Sequence, residues 1–435
     1  MKLAYFAPLP PKRTGVADYA GHLARALAAH ADITFFDSAP GTAPAAGGRV
    51  LDYVARPEVL LDLPDYDASI YQFGNNPEFH GPIFQAFQAF PGPVVLHDSV
   101  LYFLMAGLSQ GGMLREFLYN YGPGRLADFF AIEHDSVERN VLRYRQPERY
   151  PMLRRVLATA PSLIVHSETT AALVMGMGYE GALSVIPHLA YPPMLEPIDP
   201  LARSQARESL GIGPDEILLG CFGFIAPTKR FPKLFSALAQ LKDRLRFKLL
   251  IVGEGQDISG AIAEYGLADC VVMPGFVDEQ RFRLLLRSID LLVNPRFPSM
   301  GETSGPQIQA MACGLPSIVS DHAWFAELPG DSVCKIGVGA DEESHLGEAL
   351  LNLGSNPALR AEMGAAARET IVRTCAPDIV AGRFAAVLAA EAARPKELYP
   401  DGGHSAAHPA HPPRALIGHP PDAIVHADND AAPAA

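Results

Sequence analysis

The sequence predicts an α/β chain of two Rossmann-like, doubly wound domains facing a central cleft. Three observations carry this reading. Short apolar runs alternate with longer helix-period segments through most of the 435 residues. The alternation breaks once, at a proline-rich stretch, and then begins again. Turn residues cluster where the apolar runs end. Strand-then-helix alternation marks parallel sheets with crossover helices. At roughly 100–200 residues per domain, this length fits two domains or three.

The first series opens with KLAYFA (2–7), a buried strand. A Pro/Gly loop follows, then a helix from about 16 to 29. DITFF (32–36), ASIYQF (68–73), PVVLH (93–97), SLIVHS (162–167) and ALSVIPH (182–188) read as further strands. PHLAYPPMLEPIDP (187–200) has no period and reads as the interdomain linker. The second series comprises EILLGCFGF (216–224), FKLLIVG (247–253), CVVMPG (270–275), DLLVNP (290–295) and PSIVSD (316–321). Helices fit at about 231–243, 257–266, 279–288 and 305–313. The domains are thus placed at 1–195 and 196–375. A final helical stretch, about 356–393, reads as two or more pieces. Beyond it, 395–435 is rich in Ala, Pro, His, Gly and Asp and has no pattern that buries a core. That tail is predicted to be disordered, with its histidines solvated. In a pair of doubly wound domains, a ligand is expected between them, outside the carboxyl ends of the strands.

Composition narrows the function. The formal net charge of −13 argues against a general nucleic-acid binder, which carries a basic face. A local basic patch for one phosphate ligand stays open. The five cysteines are odd in number, all in the second half, and form no CxxC. That disfavours a disulfide framework or zinc site and favours a reducing compartment. The N-terminal apolar run is too short for a signal peptide, and no stretch approaches the ~20 apolar residues that span a bilayer. The expectation is a soluble, cytoplasmic protein, with peripheral membrane contact left open.

Four strand-to-helix junctions are candidate sites. In PLPPKRTGVADY (8–19) a helix begins near Gly15. Its free N–H groups and dipole suit a phosphate, and a glycine admits close approach. The bland reading is an ordinary turn. In GFIAPTKRFPKLFSAL (223–238), Lys229 and Arg230 stand at the turn. Two cations there suit a diphosphate; at a helix start without an anion they oppose the dipole. In IVGEG (251–255), two glycines flank Glu254, which is placed beside the ligand. In GETSG (301–305), Thr303 or Ser304 can cap a helix starting near Gly305. Capping explains the hydroxyls but not Glu302 beside two glycines. Among the histidines, His97 ends a predicted strand at the cleft edge, whereas His80, His166 and His188 read as hydrogen-bonded structural residues. Asp65-Tyr66-Asp67 matches a DxD metal pattern but precedes its strand, away from the expected cleft.

Together these pieces resemble the retaining family 4 glycosyltransferases of GT-B fold. The resemblance covers about 1–390 and is most specific in AMACGLPSIVSD with its upstream lysine loop. It implies a second domain that binds the nucleotide-sugar and a first that binds most of the acceptor. It also implies a C-terminal helix, 376–394, crossing back to the first domain. Lys229 matches the lysine on the donor diphosphate, Gly15 the glycine beside the phosphates, and His97 the histidine near the donor sugar. The family arginine after the first strand of the second domain is Phe224 here, so Arg230 is expected to substitute. The family's pair of glutamates, seven residues apart, falls on Gly301 and Gln309. Glu302 stands one residue late and reaches the sugar only if the loop turns at Gly301. Gln309 is expected to hydrogen-bond the ribose without charge.

The resemblance implies transfer of a hexose from a nucleoside-diphosphate sugar, GDP-mannose or a UDP-sugar, with retained configuration. The acceptor it implies is a glycan or lipid-linked hydroxyl in bacterial glycan, polysaccharide or glycolipid synthesis. Glu302, His97 and Lys229 are the catalytic candidates. Gly15, Arg230, Glu254, Gly301, Thr303, Ser304, Gly305 and Gln309 complete the donor site with Lys229. No cofactor or metal is expected. The alternatives are a GT-B nucleotide-sugar epimerase and an inactive or weakly active nucleotide-sugar-binding subunit.

Overall fold

The computed structural model describes residues 1–38 and 47–394. The tail predicted as disordered, 395–435, lies outside the described residues. The chain forms two compact units. The first comprises Met1–Leu189, Met300–Thr303 and the segment beginning at Pro377. The second comprises Ala190–Ser299 and Ser304–Ala376.

The first unit is built on seven strands: β1 (Lys2–Phe6), β2 (Asp32–Asp37), β3 (Arg49–Asp52), β4 (Ala68–Phe73), β5 (Val94–Leu96), β6 (Ser162–Val165) and β7 (Ala182–Val185). All pairs are parallel, in the order β3-β2-β1-β4-β5-β6-β7. The central strands are almost wholly buried, which is why they read as continuous apolar runs. Aromatic residues fill one face, with Phe6 stacked on both Phe36 and Tyr71. The helix Pro377–Ala392 packs on the helix Gly15–Leu27 and on β4.

The second unit has six strands: β8 (Ile217–Phe222), β9 (Phe247–Val252), β10 (Val271–Gly275), β11 (Leu291–Asn294), β12 (Ser317–Ser320) and β13 (Cys334–Ile336). Their order, β10-β9-β8-β11-β12-β13, is again parallel throughout. Each sheet therefore reverses direction once, at β1/β4 and at β8/β11. These are the switch points where a doubly wound sheet opens a crevice at its carboxyl edge.

Two strands, β3 and β13, go unpredicted. Both are short edge strands with partly exposed residues, so neither shows a buried apolar run. The linker also divides earlier than expected, after Leu189 rather than 195. The physical reason lies in its backbone partners. Ala190 N–H donates to Cys375 O, and Tyr191 N–H donates to Gln309 Oε1. Arg368 donates to the carbonyls of Ala312 and Leu195, and Arg287 to those of Pro193 and Glu196. These bonds stitch the linker into the second unit. Charge-assisted bonds of this kind contribute about 1.5–3 kcal/mol each. Arg368→Ala is therefore expected to lower the free energy of unfolding by about that amount, read by denaturant titration. Arg368→Lys, which keeps one donor, is expected to recover part of it.

Candidate functional site

In the second unit, the chain leaves β8 through Gly223 and reaches Lys229 in a short 3-10 turn, Pro227–Lys229. Lys229 is 5% exposed, and its Nζ donates to Phe222 O. Burial, and then the nearby guanidinium of Arg296, push the ammonium pKa well below its ordinary value. Arg296 follows β11 across the switch point and was not anticipated as a site residue. The available signal was its place, directly after a predicted strand end. Next comes the helix Gly305–Ala312, capped by Ser304, whose Oγ accepts from Gln307 N–H. Asn294 at the end of β11 donates to Ser304 Oγ and Gln307 Oε1, and Gln307 Nε2 donates to Ser317 Oγ. This buried polar network fixes the helix N-terminus at the carboxyl end of the sheet.

Two expectations for this unit need correction. Arg230 was to replace a missing cation, but its guanidinium forks onto the carboxylate of Glu342, which is 1% exposed, and lies over the Phe297 ring. A buried carboxylate outcompetes solvent for that cation. Gln309 was to reach a ribose, but it is 1% exposed and its Oε1 serves the linker N–H of Tyr191. Glu254 is exposed, and its carbonyl accepts from Ile225 N–H. The glycines beside it have an internal reason. A Cβ on Gly253 would lie 2.3 Å from Gly223 O, and one on Gly255 2.2 Å from Ile225 O. The loops after β8 and β9 pack backbone to backbone there.

In the first unit, Thr14 caps the helix Gly15–Leu27, and Gly15 is its exposed first residue. A Cβ there would meet nothing within 4 Å, so the fold itself does not require glycine. Lys12 in the same loop is engaged by Asp37 and Ser38. Asp67 accepts from Lys2 N–H at the amino end of β1, the edge opposite the strand-end histidines.

The segment Met300–Thr303 docks on the first unit. Met300 O accepts from Ser99 N–H (2.9 Å) and Val100 N–H (3.0 Å), and Thr170 Oγ1 donates to Gly301 O (3.3 Å). Gly301 has φ of +78°, and a Cβ there would fall 1.7 Å from Ser99 Oγ. No side chain fits at 301, where the chain takes a left-handed turn. Glu302 follows, with Oε2 accepting from Met300 N–H (2.7 Å). Thr303 Oγ1 is buried and makes no hydrogen bond among the described residues.

Around the carboxyl ends of β5, β6 and β7 stand His97, His166 and His188, gathered on the ring of Tyr19 at 4.8, 5.3 and 4.6 Å between centroids. His80 lies beneath β4 and bonds Gln72 O. Burial lowers all four: His80 and His166 to about 4 and His188 to about 3. His97 falls well below its ordinary value through burial and then its histidine neighbours. Among the described residues, no three His, Cys, Asp or Glu are arranged to hold a metal ion. Among the described residues, no helix is long and apolar enough to cross a membrane.

The histidines have a stability consequence. Their folded pKa values lie below the unfolded 6.5, so the folded state binds fewer protons in acid. The stability present above pH 6.5 is lost as pH falls towards about 4. Each buried histidine steepens that loss by up to about 1.4 kcal/mol per pH unit. Denaturant titrations from pH 7 to 4 are expected to show the slope. His166→Asn, which keeps a donor for Ile186 O, is expected to flatten it.

Comparison with known proteins adds to this geometry. Residues 202–370 match the family described as Glycosyl transferases group 1. The D-inositol 3-phosphate glycosyltransferase of Saccharomonospora viridis is 28% identical over 226 residues, 49% of this chain and 52% of that protein. The lipopolysaccharide core biosynthesis mannosyltransferase LpsB of Rhizobium meliloti is 29% identical over 140 residues, 30% of this chain and 38% of that protein. The chain thus spans about half the length of the first of these relatives, and less of the second. Among solved structures, Anabaena HepE in complex with UDP and glucose covers 90% of this chain and 100% of its own, at 17% identity and a TM-score of 0.64. That likeness concerns the fold, two parallel-sheet Rossmann-like domains of GT-B type. Residues 202–370 therefore carry a glycosyl transferases group 1 domain, in a chain of GT-B fold.

Proposed function

We propose that the chain is a retaining family 4 glycosyltransferase that moves a sugar from a nucleoside-diphosphate donor to an acceptor hydroxyl. The observation that carries this is Lys229: a buried ammonium at the switch point of the second sheet, held by one carbonyl and pressed by Arg296. A cation so placed is costly until an anion arrives. A diphosphate leaving group gains negative charge as the sugar departs, and Lys229, Arg296 and the N-terminus of Gly305–Ala312 are preorganised to receive it. Arg296 takes the part first assigned to Arg230. Glu302 and His97 orient the sugar hydroxyls and support the developing positive charge. The two side-chain cations supply the positive charge that offsets the leaving group's, so turnover is expected to persist in excess chelator.

The match to a mannosyltransferase supports GDP-mannose as donor, and the likeness to a UDP-bound fold relative supports a UDP-sugar. The lipopolysaccharide core role of the mannosyltransferase supports a glycan or lipid-linked acceptor. A second reading, a binding subunit without transfer, rests on two residues. Phe224, 67% exposed, stands where the family has an arginine, and Gln309 is turned inward.

The test is donor turnover with UDP- and GDP-sugars. Lys229→Ala and Glu302→Ala are each expected to lower turnover by about 10²–10³-fold. Wild-type rates in both would remove the site assignment. Donor-induced thermal stabilisation without product, across acceptor extracts, would favour the binding subunit.

A further inference from the structure

His97 differs from the histidines around it in how its proton is placed. His80, His166 and His188 each direct Nδ1 at a backbone carbonyl, that of Gln72, Ile186 and Leu189 respectively. A carbonyl only accepts, so all three carry the proton on Nδ1. His97 instead directs Nε2 at the side-chain oxygen of Gln72 (2.7 Å). An amide can present either end, so its orientation must be fixed by its other partner.

That partner is Tyr5. Gln72 Nε2 donates to Tyr5 Oη (3.1 Å), and Tyr5 Oη donates to Ala20 O (3.3 Å). The phenol has one proton, and burial pushes its pKa up, so it stays protonated. Having given that proton to the Ala20 carbonyl, it can only accept from Gln72. Turning the amide over would set Tyr5 Oη to donate twice with one hydrogen. Both Tyr5 and Gln72 are 0% exposed, so water cannot repair the mismatch. The polarity set by one helix carbonyl thus runs through Tyr5 and Gln72 to the imidazole. Among the described residues, His97 Nδ1 makes no hydrogen bond, and of the four histidines only His97 is half-buried rather than fully buried.

We propose that Gln72 and Tyr5 are positioning residues that hold His97 as the Nε2–H tautomer, leaving Nδ1 as the acceptor for a substrate hydroxyl. The last step rests on the transferase reading above; the tautomer does not. The ring is faced by His166, His188, His80 and Tyr19, none of them a carboxylate. The adjacent Asp98 is engaged by Asn75 N–H.

Imidazole nitrogen NMR of the full chain tests the tautomer, with His97 assigned by loss of its signals in His97→Asn. The expected spectrum shows Nε2–H for His97 and Nδ1–H for His80, His166 and His188. An Nδ1–H signal from His97 overturns the proposal. In donor assays, Gln72→Leu is expected to lower kcat roughly ten- to hundredfold with donor KM little changed. Tyr5→Phe, which frees the amide to turn, is expected to give a smaller loss. Gln72→Glu keeps an acceptor for Nε2–H, so activity is expected to return, with the acid limb of the pH–rate profile moved to higher pH. Impaired His97→Ala with wild-type Gln72→Leu would sink the relay and spare the transferase reading. Wild-type turnover in His97→Ala would sink the role of His97 while the spectrum still decides the tautomer. If no donor is turned over, the spectrum decides alone.

Discussion

A parallel sheet buried on both faces sends every strand in the same direction, so all its carboxyl ends lie along one edge. Everything chemical in this chain follows from that constraint. The strand order reverses at β1/β4 and at β8/β11, and at those points the loops diverge instead of closing over each other. Lys229 and Arg296 leave the two strands of one reversal. The histidines and the docked Glu302 loop lie along the carboxyl edge of the other sheet. Neither group needs a specialised scaffold, because the topology puts short loops and helix N-termini there.

Much of this arrangement is visible in the sequence, because central parallel strands are apolar throughout and their ends are marked by turn residues. ASIYQF is found at its observed bounds, 68–73. The edge strands β3 and β13 are not, since half-exposed short strands lose both signals. The junctions containing Lys229 and GETSG are legible for the same reason as the strands. The partners of those residues are not. Arg230 looks like a free cation until Glu342, more than a hundred positions away, is seen to hold it. Gln309 looks like a ligand group until the linker N–H of Tyr191 is found on its oxygen. Arg296 carries only its place after a strand end, and Gln72 no local sign at all, because their importance depends on long-range neighbours.

The two units handle buried polarity in opposite ways. The second buries a lysine whose ammonium meets one carbonyl and stands near a second cation, Arg296. The first directs three histidine Nδ1 atoms at backbone carbonyls and keeps its histidines neutral by burial. Such a division suits a reaction in which one part must bind a highly charged group and another must discriminate hydroxyls by hydrogen-bond polarity. The cost falls on stability: the desolvated ammonium weakens the native state as pH falls below the ordinary lysine pKa, and the buried imidazoles weaken it in acid.

Gly301 also bears on how this chain can change over generations. Any side chain there collides with Ser99, a residue two hundred positions away in the sequence. A glutamate at 301 would have to displace both the Ser99 side chain and its backbone N–H, 1.7 and 2.9 Å from the added Cβ. Positions 99 and 301 are therefore coupled: a side chain becomes tolerable at 301 only once the loop has been recast.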